Sequence, residues 1–493
     1  MRNKRRVQLA VSILLALVLW QTGTMLFRLY MPLGGFLVAT PAAVAQKLLA
    51  LLITADFWLR VWFSFIRIAA GFFAALVLGS LLAVAAGRFP ILDILFWPYV
   101  TVIKATPVAS FIILCLIWMG SANLSAAISF LMVLPIIYSN MLQGIRSTDA
   151  QLLEMAEVFR AGWGRRMLFI YLPQLKPYII SACSVALGMT WKSGIAAEVI
   201  GIPRGSIGES LYEAKVYLNA RELFAWTAVI ILVSVLFEKV FMALLKKAYD
   251  KLEKIGVYQS KPNTGPAAHA EWDAAFAEPA PVRVPADIEV RGLSKSYGDK
   301  QVLTDFSAVF PAGQCTCIMG DSGIGKTTLL NIMMGLTTAD SGGVTGLEGL
   351  KPSAVFQEDR LCDSFNAVSN ISFACGKKVT ADRIVSCLTA LGLGESLNQP
   401  VRELSGGMRR RVAILRAILA VEQVLFMDEP LKGLDERNRE IVAAYIRDHT
   451  RGITTLMVTH SHEEVNLMNG VLLSMDHPMS QLYKMSQISH PAG

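Results

Sequence analysis

Gly320-Asp321-Ser322-Gly323-Ile324-Gly325-Lys326-Thr327-Thr328 fits the spacing G-x-x-x-x-G-K-[ST], and its flanks decide how it is read. It follows the apolar, strand-like run Gln314–Met319 and opens the helical pattern Thr327–Met334. In a strand–loop–helix, glycines let backbone N–H groups close around phosphate oxygens, and the helix N-terminus favours their negative charge. Lys326 is then placed for the β- and γ-phosphates, and the Thr327 hydroxyl for Mg²⁺. A second apolar strand, Val424–Met427, ends in Asp428 and Glu429. Asp428 suits the Mg²⁺ shell and Glu429 suits the polarisation of an attacking water.

Between these two lies Leu404-Ser405-Gly406-Gly407-Met408, followed by Arg409, Arg410 and Arg411 and the helical run Val412–Ala420. This resembles the LSGGQ signature of the ATP-binding cassette (ABC) family, with Met408 in place of the glutamine. The resemblance covers roughly Ile288–Met475 and implies further roles residue by residue. Tyr297 matches the aromatic that stacks on adenine, and Gln357 the glutamine at the subdomain hinge, near metal and water. Gly433-Leu434-Asp435 resembles the D-loop, and His460 matches the switch histidine. The family uses Ser405, Gly406 and Gly407 on the nucleotide held by a partner's Gly320–Thr328 loop. The expected catalytic set is therefore Glu429, His460 and Gln357. Mg²⁺ falls to Thr327, Gln357 and Asp428. The arginine run 409–411 reads as a solvated helix face.

Only 17% of the 493 residues are charged, 54% are hydrophobic, and the mean hydropathy is +0.47. A wholly water-soluble chain is excluded on that balance. Residues 1–255 carry 24 Lys and Arg against 12 Asp and Glu, and the rest carry 22 against 26. The positive excess sits in the greasy half, which points to membrane topology and away from nucleic acid. Seven cysteines show no zinc-ligand spacing and no disulfide framework.

Spans of about 20 apolar residues cross a bilayer. Val7–Phe27, Phe63–Ala86, Ile91–Met119, Leu124–Leu142, Pro177–Ile200 and Leu223–Leu245 meet that measure, about six in all. Alternation puts both ends inside, along with Arg146, Arg160, Arg165, Arg166, Lys246, Lys247, Lys251 and Lys254. Lys192 falls inside an apolar span, either snorkelling or paired with Glu198, or lining an anion path. From 252 to 287, prolines alternate with Ala and polar residues, as in a linker.

The expected cytoplasmic loop holds Glu154-Met155-Ala156, Arg160 and Ile170-Tyr171-Leu172-Pro173. This resembles the E-A-A-x3-G-x9-I-x-L-P coupling loop of ABC importer permeases, which docks on the ATPase. Arg160 takes the glycine position, and Gly162 is available to supply the turn's positive φ instead. The runs from Ala39, Ile103 and Ala196 are similar to the nitrate/sulfonate/taurine permeases. Together these resemblances imply an all-α, type I importer-like permease domain (1–251), a linker (252–287) and an α/β P-loop ATPase (288–485). They imply ATP-driven import of a small anionic or polar solute across a bacterial inner membrane, with ATPase and N-terminus cytoplasmic. The expected partners are a second copy of the chain and an external solute-binding protein. The alternative is an exporter half-transporter, which needs longer cytoplasmic helical extensions than residues 1–250 provide.

Overall fold

The computed structural model describes residues 2–31, 37–256, 286–376, 378–475 and 482–484. Two compact units are built from Met1–Thr148 with Gln174–Tyr249, and from Asp149–Pro173 with Asp250–Gly493.

Among the described residues, Ala55–Arg88, Ser121–Arg146, Trp163–Gly201 and Ala220–Lys254 are the four helices long and apolar enough to cross a membrane, or five spans if one bent pair is counted, against the six or so expected from hydropathy. The helix Arg2–Tyr30 overlies the expected first span Val7–Phe27, but only Leu14–Tyr30 of it forms an apolar stretch, shorter than a full crossing. The expected span Ile91–Met119 is not one helix: Pro90–Ala105 and Val108–Trp118 meet at a bend of 107°. Pro107 is the cause, since it lacks an N–H and pushes Thr106 out of the helical region, to ψ 129.

The long helices pack through small residues. Gly71, Ala75, Gly79, Ala83 and Gly87 recur every four residues on Ala55–Arg88 and so form one stripe. A Cβ on Gly71 meets Ala126 O at 2.3 Å, one on Gly79 meets Ile137, and one on Gly87 meets Ile145. The contact positions climb together, so this helix and Leu124–Arg146 run parallel. Leu172–Gly201 runs antiparallel to both ends of the latter: Gly144 abuts Leu175 and Tyr178, while Gly201 abuts Leu124. Such small-residue seams let helix backbones approach where lipid offers no hydrophobic drive.

Glu198 is fully buried, and Ser64 Oγ donates to its Oε2 at 2.7 Å. The Gly208 N–H donates to the same oxygen at 3.3 Å. Lys192 is exposed on its helix, and of the readings open for it the pairing with Glu198 is not the one seen, since Glu198 accepts from Ser64 and Gly208. The last helix, Ala220–Gly256, runs past the expected linker boundary, and linker positions 257–285 lie outside the described residues.

The second unit carries two sheets. Strands β1 (Ile288–Tyr297), β2 (Lys300–Phe310) and β4 (Ser341–Thr345) form an antiparallel sheet in the order β2-β1-β4. The other strands are β3 (Cys315–Met319), β5 (Pro352–Val355), β6 (Val424–Asp428), β7 (Thr454–Val458), β8 (Val471–Ser474) and β9 (Leu482–Lys484). They form the sheet β5-β6-β7-β3-β8-β9, parallel from β5 to β8, with β9 antiparallel. Residues of β6 and β7 are buried throughout, as continuous apolar strands covered on both faces must be. β3 and β6, each paired to the intervening β7, end in the phosphate loop and the paired carboxylates.

The glycine seam is directly testable. Gly71→Ala sets a Cβ against a backbone oxygen that cannot move aside, whereas Gly188→Ala on Leu172–Gly201 meets open space. Overpacking of this kind costs about 1–3 kcal/mol. The thermal unfolding midpoint of the detergent-solubilised protein falls by several degrees for Gly71→Ala and holds for Gly188→Ala; equal midpoints contradict the seam.

Candidate nucleotide site

The phosphate loop leaves β3 and turns into the helix Lys326–Met333. Gly325 caps that helix at φ +105, and a Cβ there would lie 2.9 Å from Val302 O. Glycine is needed on both counts, conformation and space. The Lys326 side chain is buried and its Nζ donates to Gly320 O (2.7 Å) and Asp321 O (2.9 Å). Its ammonium therefore lies across the loop, where an anion's charge is best met.

Thr327 Oγ1 donates to Asp428 Oδ2 at 2.8 Å. The other oxygen, Asp428 Oδ1, is buried with no hydrogen-bond partner among the described residues. Burial pushes the Asp428 carboxyl above its ordinary range, the Thr327 bond opposes this, and the neighbouring Glu429 adds to it. An orphaned carboxylate oxygen beside a hydroxyl is the donor set a hard divalent cation takes, so these residues fit Mg²⁺. Gln357, at the end of β5, lines a cavity of about 190 Å³ with Thr327, Asp428 and Glu358.

Glu429 sits one residue past β6 at φ +47, and its N–H donates to Val458 O at 3.0 Å. That backbone turn aims the carboxylate at Lys432 Nζ (2.5 Å) and His460 Nε2 (3.2 Å). Burial raises the Glu429 pKa, but Lys432 and His460 outweigh it and hold the group below its ordinary value. The two adjacent carboxyls are thus driven in opposite directions by their surroundings, the usual mark of a division of roles.

The other expected residues are placed as follows. Tyr297 is half exposed at the end of β1, with Lys295 Nζ 5.6 Å from its ring centroid. Ser405 caps the helix Gly406–Ala420, its Oγ accepting from the Met408 N–H at 3.3 Å; Ser405 and Gly406 are exposed. Asp435 caps Glu436–His449, accepting from the Asn438 N–H at 2.8 Å. Asp321, Ser322, Gly323, Ile324 and Thr328 complete the loop and the first turn of its helix, and Gly407 starts the Ser405-capped helix. Neither Tyr297 nor Ser405–Gly407 lines the cavity of Thr327, Gln357 and Asp428.

The arginine run is not a solvated face. Arg410 is buried and donates to Pro430 O, Phe356 O, Asp428 O and Glu429 O at 2.6–2.9 Å, with Asp359 Oδ1 at 3.2 Å. Arg411 Nη1 donates to Leu391 O at 2.5 Å, and Arg409 Nη1 to Asp363 Oδ1 at 2.9 Å. Helical spacing carried this signal, because Arg410 shares a face with Ala413, Ile414 and Ala417, all buried. Lys432, three residues after Glu429, was likewise not singled out in the sequence.

The segment 149–173 belongs to this unit. Glu154 Oε2 pairs with Arg360 Nη1 at 2.8 Å, Ala156 and Ile170 are buried, and Leu172 and Pro173 begin a long helix. Gln151 reaches the cavity of Thr327 and Asp428. Gly162 does not supply the positive φ: it sits at φ −63, and Arg160 takes φ +47 itself. The turn forms at the family's position, so the displaced glycine is not needed for it.

Comparison with known proteins agrees with this geometry. Residues 303–432 match the family model described as ABC transporter. Residues 75–251 match that of the binding-protein-dependent transport system inner membrane component. An aliphatic sulfonates import ATP-binding protein of Rhizobium johnstonii is 35% identical over 42% of this chain and 83% of its own length. One from Xanthomonas axonopodis pv. citri is 33% identical, over 41% and 72%. A Nod factor export ATP-binding protein of Cupriavidus pinatubonensis is 34% identical, over 41% and 67%.

Proposed function

Since the chain belongs to the ABC transporter family, we propose that two copies of it assemble into an importer for an aliphatic sulfonate or a related small oxyanion. The chain is a multi-pass membrane protein that fuses an importer-type permease to an ATPase, and its ATP hydrolysis drives import. An exporter is set aside because residues 75–251 match a binding-protein-dependent permease. The solute class is supported by the similarity to aliphatic sulfonate import proteins. The inner membrane is part of this reading, and a cytoplasmic ATPase is supported by the basic residues that alternation gathers on one side, Lys246, Lys247 and Lys251 among them. An external solute-binding protein delivers the solute to the other side.

The observation that carries the mechanism is the cluster Thr327–Asp428–Glu429–His460 at the adjoining ends of β3, β6 and β7. Lys326 and the loop N–H groups hold the β- and γ-phosphates of ATP. Thr327, Asp428 and Gln357 hold Mg²⁺, which when bound neutralises phosphate charge. Glu429, kept ionised by Lys432 and His460, orients and polarises the attacking water. Tyr297 stacks on adenine. The exposed Ser405 and Gly406, at a helix N-terminus, meet the nucleotide of the other copy. Asp435 lies next to that shared boundary. Glu154, Ala156, Leu172 and Pro173 form the docking segment through which closure reaches the membrane helices.

Two measurements test this. In a mixture of Lys326→Ala and Ser405→Arg chains, each mixed dimer concentrates both defects in one site and leaves the other whole. ATP hydrolysis by the mixture therefore exceeds that of either variant alone; no excess, with mixed dimers demonstrated, sinks the shared site. The second is a pH profile. Glu429 is charged above its lowered pKa, so hydrolysis fails only as pH falls through that value. Lys432→Ala removes a cation holding it down, and the acid limb moves to higher pH; an unmoved limb removes Glu429 from the water-activating role.

A further inference from the structure

The segment 149–173 meets the ATPase through arginines whose partners are backbone carbonyls. The helix Ala150–Val158 ends in a Schellman closure: the Ala161 N–H donates to Ala156 O and the Arg160 N–H to Glu157 O, both at 2.9 Å. Arg160 holds the left-handed position of that closure, where glycine avoids a cost of about 1–2 kcal/mol. Its side chain reaches out, Nη2 donating to Leu350 O at 2.8 Å. Leu350 lies just before β5, the strand that delivers Gln357.

Five residues on, Arg165 Nη1 donates to Phe373 O and, at 3.3 Å, to Ala374 O. These are carbonyls of the last turn of the helix Ala367–Cys375, where a cation is favoured by the dipole. Phe169, one turn after Arg165, packs on Phe365 and Phe373 with centroids 4.5 and 5.4 Å away. Ala367–Cys375 in turn packs on the Ser405-capped helix, sharing a core of Val368 and Ile371 with Val412 and Leu415. Arg166, by contrast, folds inward and donates to Ala161 O at 2.8 Å.

We infer that Arg160 and Arg165 form a two-point clamp that grips the strand leading to Gln357 at one end and the helix riding on the Ser405-capped helix at the other. The clamp rests on the docking role proposed for 149–173 and adds two positioning residues to it. Because both partners are backbone carbonyls, the grip reports where the two elements lie, whatever their side chains. A change in their relative placement on ATP binding is then felt at both ends of one short segment. Arg160 bears a backbone cost that its outward bond offsets, the pattern of an outlier kept for function.

The test uses the full-length chain in lipid nanodiscs, in a Glu429→Gln background with Cys115 and Cys315, the native thiols that are not buried, replaced by Ala. A bimane fluorophore is placed singly at Arg402→Cys in the ATPase unit or at Tyr217→Cys in the membrane unit, both exposed positions. The parent responds to Mg-ATP at both. With Arg160→Gly, which keeps the turn, or Arg165→Ala, the Arg402 response persists while the Tyr217 response falls more than twofold. Arg165→Lys, which retains charge without the fork, falls less. A full Tyr217 response in both variants overturns the clamp, and loss of the Arg402 response as well reduces the arginines to structural supports and overturns it too. Glu154→Ala separates the levels: if it also leaves Tyr217 responsive, the docking reading itself fails; if it silences Tyr217 while the arginine variants do not, only the clamp fails.

Discussion

The guanidinium of Arg410 sets the shape of the nucleotide side of this protein. It is buried and spreads its donors over the carbonyls of Phe356, Asp428, Glu429 and Pro430, with the Asp359 carboxylate as counter-charge. An isolated charge cannot be left in a protein interior at such depth, so every donor must be used. Hydrogen bonds to a charged group are worth about 1.5–3 kcal/mol each. Used in this way, one side chain on the Ser405-capped helix fixes the end of β6 and the turn after β5 together. The rigid fork matters, because the point charge of a lysine could not serve four divergent carbonyls.

A consequence is mechanical. Arg416, fully buried on the same helix, donates to Arg360 O (2.6 Å) and Asp359 O (2.9 Å), and its pKa is pushed down to about 10 by burial. Arg360 in turn reaches Glu154. The Ser405-capped helix, the turn at Gln357 and the segment 149–173 are therefore joined by arginines at every step. The membrane helices depend on a different physics, close backbone contact through small residues and a bend imposed by Pro107.

Much of this was legible in the sequence because phosphate chemistry restricts residues severely. Gly325, Lys326 and Thr327 can be read from spacing, since a phosphate cradle tolerates few substitutes, and with that loop upstream the strand ending in Asp428 and Glu429 can be read as well. Hydropathy marked the apolar stretches but overcounted the full crossings, and it could not show that Ile91–Met119 breaks at Pro107, because hydropathy is blind to direction. Arg410 was misread for a related reason: three consecutive arginines look solvated until the helix face is drawn. The turn at Arg160 defied the glycine rule, and no local signal in the sequence disclosed that its side chain would reach Leu350. Glu198 was weighed against Lys192 because both are charged and near in sequence, whereas its partners Ser64 and Gly208 come from elsewhere in the chain.

ATP hydrolysis at this cluster is proposed to move an oxyanion inward. The most direct measurement is uptake of a radiolabelled aliphatic sulfonate into proteoliposomes. The ATPase faces the lumen, ATP is enclosed there, and a sulfonate-loaded binding protein is supplied outside. Lumenal accumulation is expected that requires both ATP and the binding protein and is abolished by Glu429→Gln. Sulfonate leaving the lumen under ATP with no need of a binding protein would contradict it.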